Sequence, residues 1–234
     1  MEIKNLLTKV NYTTMHNKSN EYIVIHYTGN KGDLAKSNCN YFLDTNRGAS
    51  ANYFVDEDNI YCCVEPQNKA WHCGGGMQSS QGGSVYGKCT NSNSIGIEMC
   101  LWDKNGNERQ GTIDNTIALT KWLMAKYHIP ISKVVRHWDV VGKDCPSGWT
   151  GNSNTKWQNF LNKLQGGDDM SKDEVLQLIQ EAIKPIIKEN DRQNEVINAI
   201  GVDLTYHSND IRELQSGHKK QNELLYDIRT KVGV

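Results

Sequence analysis

The pattern of hydrophobic and polar residues changes near residue 166 of this 234-residue chain. Before that point, short apolar runs of strand length alternate with stretches whose apolar residues recur at helical spacing. After it, apolar residues follow a heptad pattern, and the connecting sequence Gly-Gly-Asp-Asp-Met is typical of a hinge. The pattern therefore predicts a first domain over residues 1–165, a hinge over 166–170 and a helical domain over 171–234.

The first domain is predicted to be α/β, with a mixed central β-sheet flanked by helices. Residues 22–28, YIVIHYT, are apolar on both faces and rich in β-branched side chains, which indicates a buried central strand. Further strands are predicted at 51–64 (two strands around a turn), 93–102 and 133–140. Helices are predicted at 34–46, 114–128 and 155–164.

Composition and charge exclude several classes of protein. The net charge of −1 provides no basic surface for nucleic acid. The chain has no 18-residue apolar run, so no membrane span is expected. The first twenty residues lack the apolar core of a secretory signal. Seven cysteines without an export signal favour reduced thiols in a cytosol over a disulfide framework.

Two histidines and one cysteine have the chemistry of zinc ligands. His26 ends the predicted central strand, His137 follows a short apolar run, and Cys145 comes eight residues later. Imidazole nitrogen and thiolate sulfur are usual zinc ligands, and three protein ligands leave one tetrahedral position open, as in catalytic zinc sites. A single histidine on a strand is more often a packed core residue, but three such groups in their motifs favour the metal.

A carboxylate and an ammonium accompany these ligands. Glu98 lies in the apolar sequence SIGIEMC, where strand geometry places its side chain on the face of Gly96. A carboxylate in such a run indicates a catalytic base, and Gly96 beside it is expected to leave space for a ligand or water. Lys143, two residues before Cys145, is expected to stabilise an oxyanion. The alternatives are a buried ion pair for Glu98 and a solvated loop charge for Lys143.

Four motifs carry a resemblance to a known family. The sequences YIVIHYTG, AWHCG, SIGIEM and RHWDV…KDCPS, in that order, resemble the zinc-dependent N-acetylmuramoyl-L-alanine amidases of phage endolysins. These belong to the amidase-2 superfamily, which includes the peptidoglycan recognition proteins. The resemblance covers residues 20–165. It implies one zinc ion per catalytic domain with ligands His26, His137 and Cys145, a catalytic Glu98, and Lys143 as oxyanion stabiliser.

The resemblance also implies a reaction and a place of action. The expected activity is hydrolysis of the amide between N-acetylmuramic acid and L-alanine of the stem peptide, which lyses the host cell wall. The alternative is a peptidoglycan-binding module without catalysis, which would be expected to lack the cysteine ligand or the carboxylate. Because the chain shows no signal peptide, the expected location is the host cytoplasm before lysis, with release through a holin pore.

Three residues are expected to contact substrate. They are His72 in AWHCG, Tyr27 after the first zinc ligand, and Asn52 in SANYF, where the family often has histidine in place of asparagine. For His72 a structural role is the alternative. The long Gly/Ser-rich loop 73–94 is expected to border the substrate groove, because long loops in compact domains are often functional.

The tail carries a heptad repeat from residue 176 onward. Twelve of its seventeen core positions are apolar, which favours a coiled coil and homo-oligomerisation. The a positions are Leu176, Ile183, Asn190, Ile197, Leu204, Ile211, His218, Leu225 and Val232. The d positions are Ile179, Ile186, Gln193, Ile200, His207, Leu214, Gln221 and Ile228.

Pro185 conflicts with one straight helix, since an interior proline costs about 3 kcal/mol or more. A kink at Pro185 or a separate helix over 171–184 is therefore expected. The alternative to a coiled coil between chains is an intramolecular pair of helices with breaks near Pro185, Gly201 or Gly217.

Met170 suggests a second product of the same gene. The peptide Gly166 to Met170 can be encoded as GGAGGUGAUGAUAUG, which contains a strong ribosome-binding sequence before a start codon. The hypothesis is that a short chain, Met170–Val234, joins full-length chains in a hetero-oligomer. The alternative is a plain acidic hinge.

Overall fold

The structure, a computed structural model, describes residues 1–166, 172–203 and 210–233. The chain divides into an N-terminal unit, Met1–Gly166, and a helical unit, Gly167–Val234. The hinge residues 167–170, which include Met170, and the heptad positions Leu204 and His207 lie outside the described residues. Among the described residues, no helix combines the length and apolar character needed to cross a bilayer.

The N-terminal unit is built on one six-stranded sheet, and the predicted mixed sheet is confirmed. The strands are β1 Ile3–Asn5, β2 Tyr22–Tyr27, β3 Tyr53–Val55, β4 Ile60–Cys62, β5 Ser94–Met99 and β6 Val134–Arg136. Their order is β1-β4-β3-β5-β2-β6, with β3 and β4 antiparallel and every other pair parallel. The strand β2 is bordered by parallel partners on both sides, which explains why its sequence is apolar on both faces.

Four helices and one turn of 3₁₀ helix complete this unit. They are α1 Ala35–Phe42, α2 Gln110–Tyr127, the 3₁₀ turn Ile131–Lys133, α3 His137–Val141 and α4 Thr155–Gln165. Side chains of α2 and α4, such as Leu119 and Phe160, pack with Ile97 in the largest core cluster. All seven cysteines, which lie within this unit, are free and buried.

The strand predicted at 133–140 is wrong beyond Arg136. The strand β6 ends there, and His137 is the first residue of α3. The Asp139 carboxylate accepts a hydrogen bond from the backbone N–H of Arg136 at 2.8 Å. This side-chain cap closes a helical turn where the hydrophobic pattern alone indicated continued strand.

Alternation along β5 separates the core from the site. Ile95, Ile97 and Met99 are fully buried in the cluster that includes α2, whereas Gly96 and Glu98 face the other side of the sheet. The face predicted for Glu98 is therefore confirmed.

The helical unit contains two antiparallel helices, α5 Lys172–Asp203 and α6 Asp210–Val232. Asn190 Nδ2 donates to Asn222 Oδ1 at 2.7 Å, and Gln180 Nε2 donates to the carbonyl of Val232 at 3.2 Å. Pro185 lies inside α5, which extends on both sides of it. Gly217 also lies inside a helix, so breaks at Pro185 and Gly217 are wrong. The helix α5 ends at Asp203, two residues after Gly201, so the alternative of an intramolecular helix pair with a break near Gly201 agrees with the structure.

The two helices meet along only part of the predicted heptad seam. Asn190, at an a position, is buried, and most other described a positions are part-buried. Apolar d positions are exposed by 36% at Ile179, 58% at Ile186 and 66% at Leu214, while Ile228 is part-buried. A coiled coil between chains stays a prediction.

Candidate active site

Three neighbouring parallel strands bring the predicted catalytic groups to one edge of the sheet. The register pairs His26 of β2 with Glu98 of β5. On the other side of β2, Ile25 pairs with Arg136, so His137 follows one position later beside His26. In open α/β sheets, ligands bind at the carboxyl ends of the strands, and all three groups lie at that edge.

The three predicted zinc ligands converge. His26 Nδ1 lies 3.1 Å from His137 Nδ1, and Cys145 Sγ lies 3.8 Å from His26 Nδ1. The three ligand atoms lie within 4.8 Å of one another, and all three residues are buried. Tetrahedral zinc places two nitrogen ligands about 3.3 Å apart and a nitrogen and a sulfur about 3.6 Å apart. The observed donor set therefore fits this metal.

Two buried polar atoms without partners also support a metal or substrate site here. Glu98 Oε2 and His137 Nε2 have no hydrogen-bond partner among the described residues. Glu98 Oε1 lies 3.9 Å from His26 Nδ1. Buried polar atoms without partners are rare, and they are found where a site receives ions, water or substrate. The carboxylate is thus placed next to the ligand set.

The electrostatics of the site favour neutral histidines and a carboxyl group that exchanges protons near neutrality. Burial lowers the pKa of His26, and burial together with the Lys143 charge lowers the pKa of His137 to about 4. Neutral imidazole is the form that binds metals. Burial raises the pKa of Glu98 to about 8, against the opposing effect of the Lys143 charge. Lys143 is exposed, and its positive charge acts on both Glu98 and His137.

Arg136, the last residue of β6, forms a buried ion pair with Asp139 and also binds the loop that follows Cys145. The Arg136 guanidinium donates to both carboxylate oxygens of Asp139 at 2.9 Å and to the carbonyl of Trp149 at 2.6 Å. The backbone N–H of Trp138 donates to the carbonyl of Cys145 at 3.0 Å. Arg136 and Asp139 were not among the predicted site residues. Their pairing could have been predicted, because an arginine and an aspartate three residues apart in an otherwise apolar segment need each other when buried.

The three residues expected to contact substrate lie in different surroundings. His72 is buried, and its Nδ1 lies 3.0 Å from His26 Nε2. Asn52 is fully buried; its Oδ1 accepts from the Gly96 N–H at 2.9 Å and its Nδ2 donates to the Val64 carbonyl at 3.0 Å. Tyr27 is half-buried, with its ring edge-on to Trp102. Substrate contact by these residues stays a prediction.

The space beside Gly96 is occupied by a protein side chain. A Cβ atom at Gly96 would lie 2.5 Å from Cγ of the His72 ring. The prediction that Gly96 leaves room for a ligand or water is therefore wrong. The glycine accommodates the imidazole of His72, which a strand pattern cannot reveal because the two residues come together only in the fold.

The fold and these side chains are those of an α/β domain with a candidate His-His-Cys metal site and a carboxylate beside it. The family model Amidase_2, described as N-acetylmuramoyl-L-alanine amidase, matches residues 16–148. This match covers more than half of the chain, which therefore belongs to the Amidase_2 family, and the predicted resemblance is confirmed.

Curated relatives and solved structures agree with this membership. The chain is 34% identical over 149 residues to N-acetylmuramoyl-L-alanine amidase BlyA of Bacillus subtilis (strain 168), covering 61% of this chain and 40% of the relative. It is 31% identical over 157 residues to the amidase CwlL of Bacillus licheniformis, covering 64% and 43%. The chain thus spans about two fifths of these relatives.

Among solved structures, the catalytic domain of XlyA is similar with a TM-score of 0.57 at 25% identity, covering 70% of this chain and 99% of that one. The PlyG catalytic domain is similar with a TM-score of 0.59 at 26% identity, covering 74% and 98%. Both likenesses support an amidase-2 fold.

Proposed function

We propose that this protein is a zinc-dependent N-acetylmuramoyl-L-alanine amidase that acts as an endolysin. It hydrolyses the amide between N-acetylmuramic acid and L-alanine of the stem peptide in bacterial peptidoglycan. The observation that carries the proposal is the convergence of His26, His137 and Cys145 beside Glu98. Membership of the amidase family and the similarity to relatives named as amidases support the same substrate.

Each polar group at the site has a distinct role in this proposal. His26, His137 and Cys145 would hold zinc, which would supply Lewis acidity toward the scissile carbonyl and the attacking water. Glu98 takes a proton from the attacking water and returns it to the leaving amine. The raised pKa of Glu98 brings this exchange close to neutral pH, and the positive charge of Lys143 favours the carboxylate. Lys143 also stabilises the developing oxyanion.

A binding module without catalysis is the weaker candidate. Such a module needs only a groove for the wall polymer, and neither a thiol ligand nor a carboxylate beside it. Cys145 is buried against His26, and Glu98 keeps a polar atom without a partner among the described residues. The second feature is costly in a protein that only binds, because a buried polar atom without a partner lowers stability.

The test is the chemistry of the products released from purified walls. Amide cleavage releases free amino groups without new reducing sugars, and the amino terminus exposed is that of L-alanine. The matched control is Glu98→Gln, which preserves side-chain size. Release of reducing sugars, or equal release by wild type and Glu98→Gln, would contradict the proposal.

The location follows from the proposed role. An endolysin attacks the wall of the cell that makes it. We therefore extend the proposal to accumulation in the host cytoplasm and release through a holin pore. Fractionation of expressing cells with and without a holin tests this. Wall damage that does not depend on the holin would contradict it.

The helical unit is proposed to join full-length chains into a homo-oligomer. Its antiparallel helices leave Ile179, Ile186 and Leu214 exposed at d positions of both helices. A second copy of the same unit presents the same spacing of apolar residues, so the occupant of this face is a second copy. Sedimentation of the full chain and of Ile186→Glu is the test. Identical monomeric masses for both would reject the oligomer.

The short product Met170–Val234 is a further part of the proposed assembly. The test compares the natural coding sequence with one that carries synonymous codons at Gly166 and Gly167. A co-purifying fragment of the expected mass from the natural sequence alone supports internal initiation. Its absence from both preparations, with the full chain intact, would contradict internal initiation at Met170.

A further inference from the structure

The nitrogen of His26 that faces away from the ligand set begins a chain of hydrogen bonds. His26 Nε2 lies 3.0 Å from His72 Nδ1. His72 Nε2 lies 3.2 Å from Ser94 Oγ, and Ser94 Oγ donates to the backbone carbonyl of Thr90 at 2.5 Å. His26, His72 and Ser94 are all buried, so water does not compete freely for these bonds.

The last bond fixes the direction of the others. A carbonyl oxygen only accepts, so the Ser94 hydroxyl proton is used on Thr90 and Ser94 Oγ accepts from His72 Nε2–H. His72 Nδ1 then carries a lone pair and accepts from His26 Nε2–H. In consequence His26 Nδ1 carries a lone pair, and this is the atom that lies 3.1 Å from His137 Nδ1.

Several groups hold the His72 ring in this place. The absence of a side chain at Gly96 admits the ring, since a Cβ there would lie 2.5 Å from its Cγ. Asn91 Oδ1 accepts from the backbone N–H groups of His72 at 3.0 Å and of Cys73 at 2.8 Å. The Cys73 thiol lies 3.6 Å from Ser94 Oγ, a weaker contact than the bond to Thr90.

We propose that His72 is a positioning residue that fixes the ring plane and the tautomer of His26, so that the Nδ1 lone pair is directed at the metal. The backbone carbonyl of Thr90 sets this arrangement through Ser94. The inference rests on the proposed zinc site. Outer partners of metal-bound histidines commonly change metal affinity by about 10–100-fold when they are lost.

The first test compares two substitutions of similar size at His72 in the full-length chain. Asn offers an amide oxygen near the position of Nδ1, whereas Leu offers no acceptor. Zinc affinity is measured by competition with a chromophoric chelator. We expect a loss of about 10–100-fold for His72→Leu and a clearly smaller loss for His72→Asn. Equal affinity in wild type and His72→Leu, or equal losses in both folded variants, would overturn the proposal.

The second test needs neither zinc nor substrate. Long-range proton–nitrogen NMR of the metal-free wild type reports which imidazole nitrogen of His26 carries the proton. The expected result is protonated Nε2 and bare Nδ1, with partial loss of this preference in Gly96→Ala, whose methyl group displaces the His72 ring. Protonated Nδ1 in the wild type would overturn the inference whether or not the variants fold.

The two proposals fail in different ways. Wild-type protein that binds no zinc contradicts the proposed metal site, whatever the NMR result. Wild-type protein that binds zinc with the same affinity as His72→Leu contradicts only the positioning role of His72.

Discussion

The two units of the chain differ in how far their apolar side chains are buried. In the N-terminal unit, strand residues such as Ile23, Ile25 and Ile97 are fully buried. In the helical unit, Ile186 and Leu214 remain exposed on the two antiparallel helices. Burial of apolar surface is the main stabilising contribution in folding. The difference is the basis of the proposed homo-oligomer, in which a second copy would cover Ile186 and Leu214.

The polar groups in the two interiors differ as well. Arg136 and Asp139 form a bidentate pair inside the N-terminal unit and connect two parts of the site. In the helical unit, Asn222 bridges Asn190 and Asn194 between the helices. A buried asparagine at a core position specifies helix register at some cost in stability. The ion pair therefore holds elements of the site together, and the asparagines specify the register of the two helices within one chain.

The largest expected effect separates chemistry from folding within the N-terminal unit. Glu98→Gln is expected to lower turnover by about 10²–10⁴-fold, because general acid–base catalysis contributes that much. Zinc content and the thermal transition are expected to stay close to wild type. The measurements are amino-group release from walls and metal analysis of the same sample. Wild-type turnover in this variant would remove Glu98 from the mechanism.

The second largest effect is expected in the unfolding free energy when one arginine is replaced in each unit. Arg136→Met leaves Asp139 as a buried unpaired charge and is expected to cost about 3–5 kcal/mol of unfolding free energy. Arg229→Met breaks the exposed pair with Asp191 and is expected to cost less than about 1 kcal/mol. Tryptophan fluorescence follows the first variant, because all six tryptophans precede residue 166, and helical circular dichroism follows the second. Equal losses of unfolding free energy in the two variants would contradict the difference between the buried and the exposed ion pair.

The third effect is expected in stability and self-association when one leucine is replaced in each unit. Leu119→Ala removes a fully buried core side chain and is expected to cost about 2–5 kcal/mol. Leu214→Ala removes an exposed side chain and is expected to leave tryptophan-detected unfolding unchanged while weakening self-association. Denaturant titration and sedimentation of both variants distinguish these outcomes. If Leu214→Ala leaves the association state unaltered, the exposed face is not an oligomer interface.

The smallest effect is a pH dependence of the N-terminal unit. Burial lowers the pKa of Lys18 from its usual 10.5 to about 8, although its ammonium donates to the Ser94 carbonyl. Between those two values the unfolded chain binds more protons than the folded chain, so the unfolding free energy rises with pH in that window. Lys18→Met is expected to flatten this rise, and the exposed Lys36→Met serves as control. A rise unchanged in Lys18→Met would contradict the assignment.

Much of the fold was predictable because local patterns decided it. The strand at 22–28 is apolar on both faces, and its burial between parallel strands follows from that. The helical start at His137 was not predictable, since it depends on the carboxylate of Asp139 capping the turn. The convergence of His26, His137 and Cys145 was predictable from motifs that the fold brings together. The His72 contact with His26 joins residues 46 positions apart, which no local pattern records.

The most direct test of the account is the zinc content of purified full-length protein. Wild type is expected to hold one zinc per chain, lost with chelator together with wall hydrolysis and regained with added zinc. Cys145→Ser removes the thiolate ligand and is expected to show a large drop in zinc while the tryptophan-detected fold is retained. Full zinc occupancy in Cys145→Ser, or wall hydrolysis by metal-free wild type, would contradict the assignment of His26, His137 and Cys145 as the metal site.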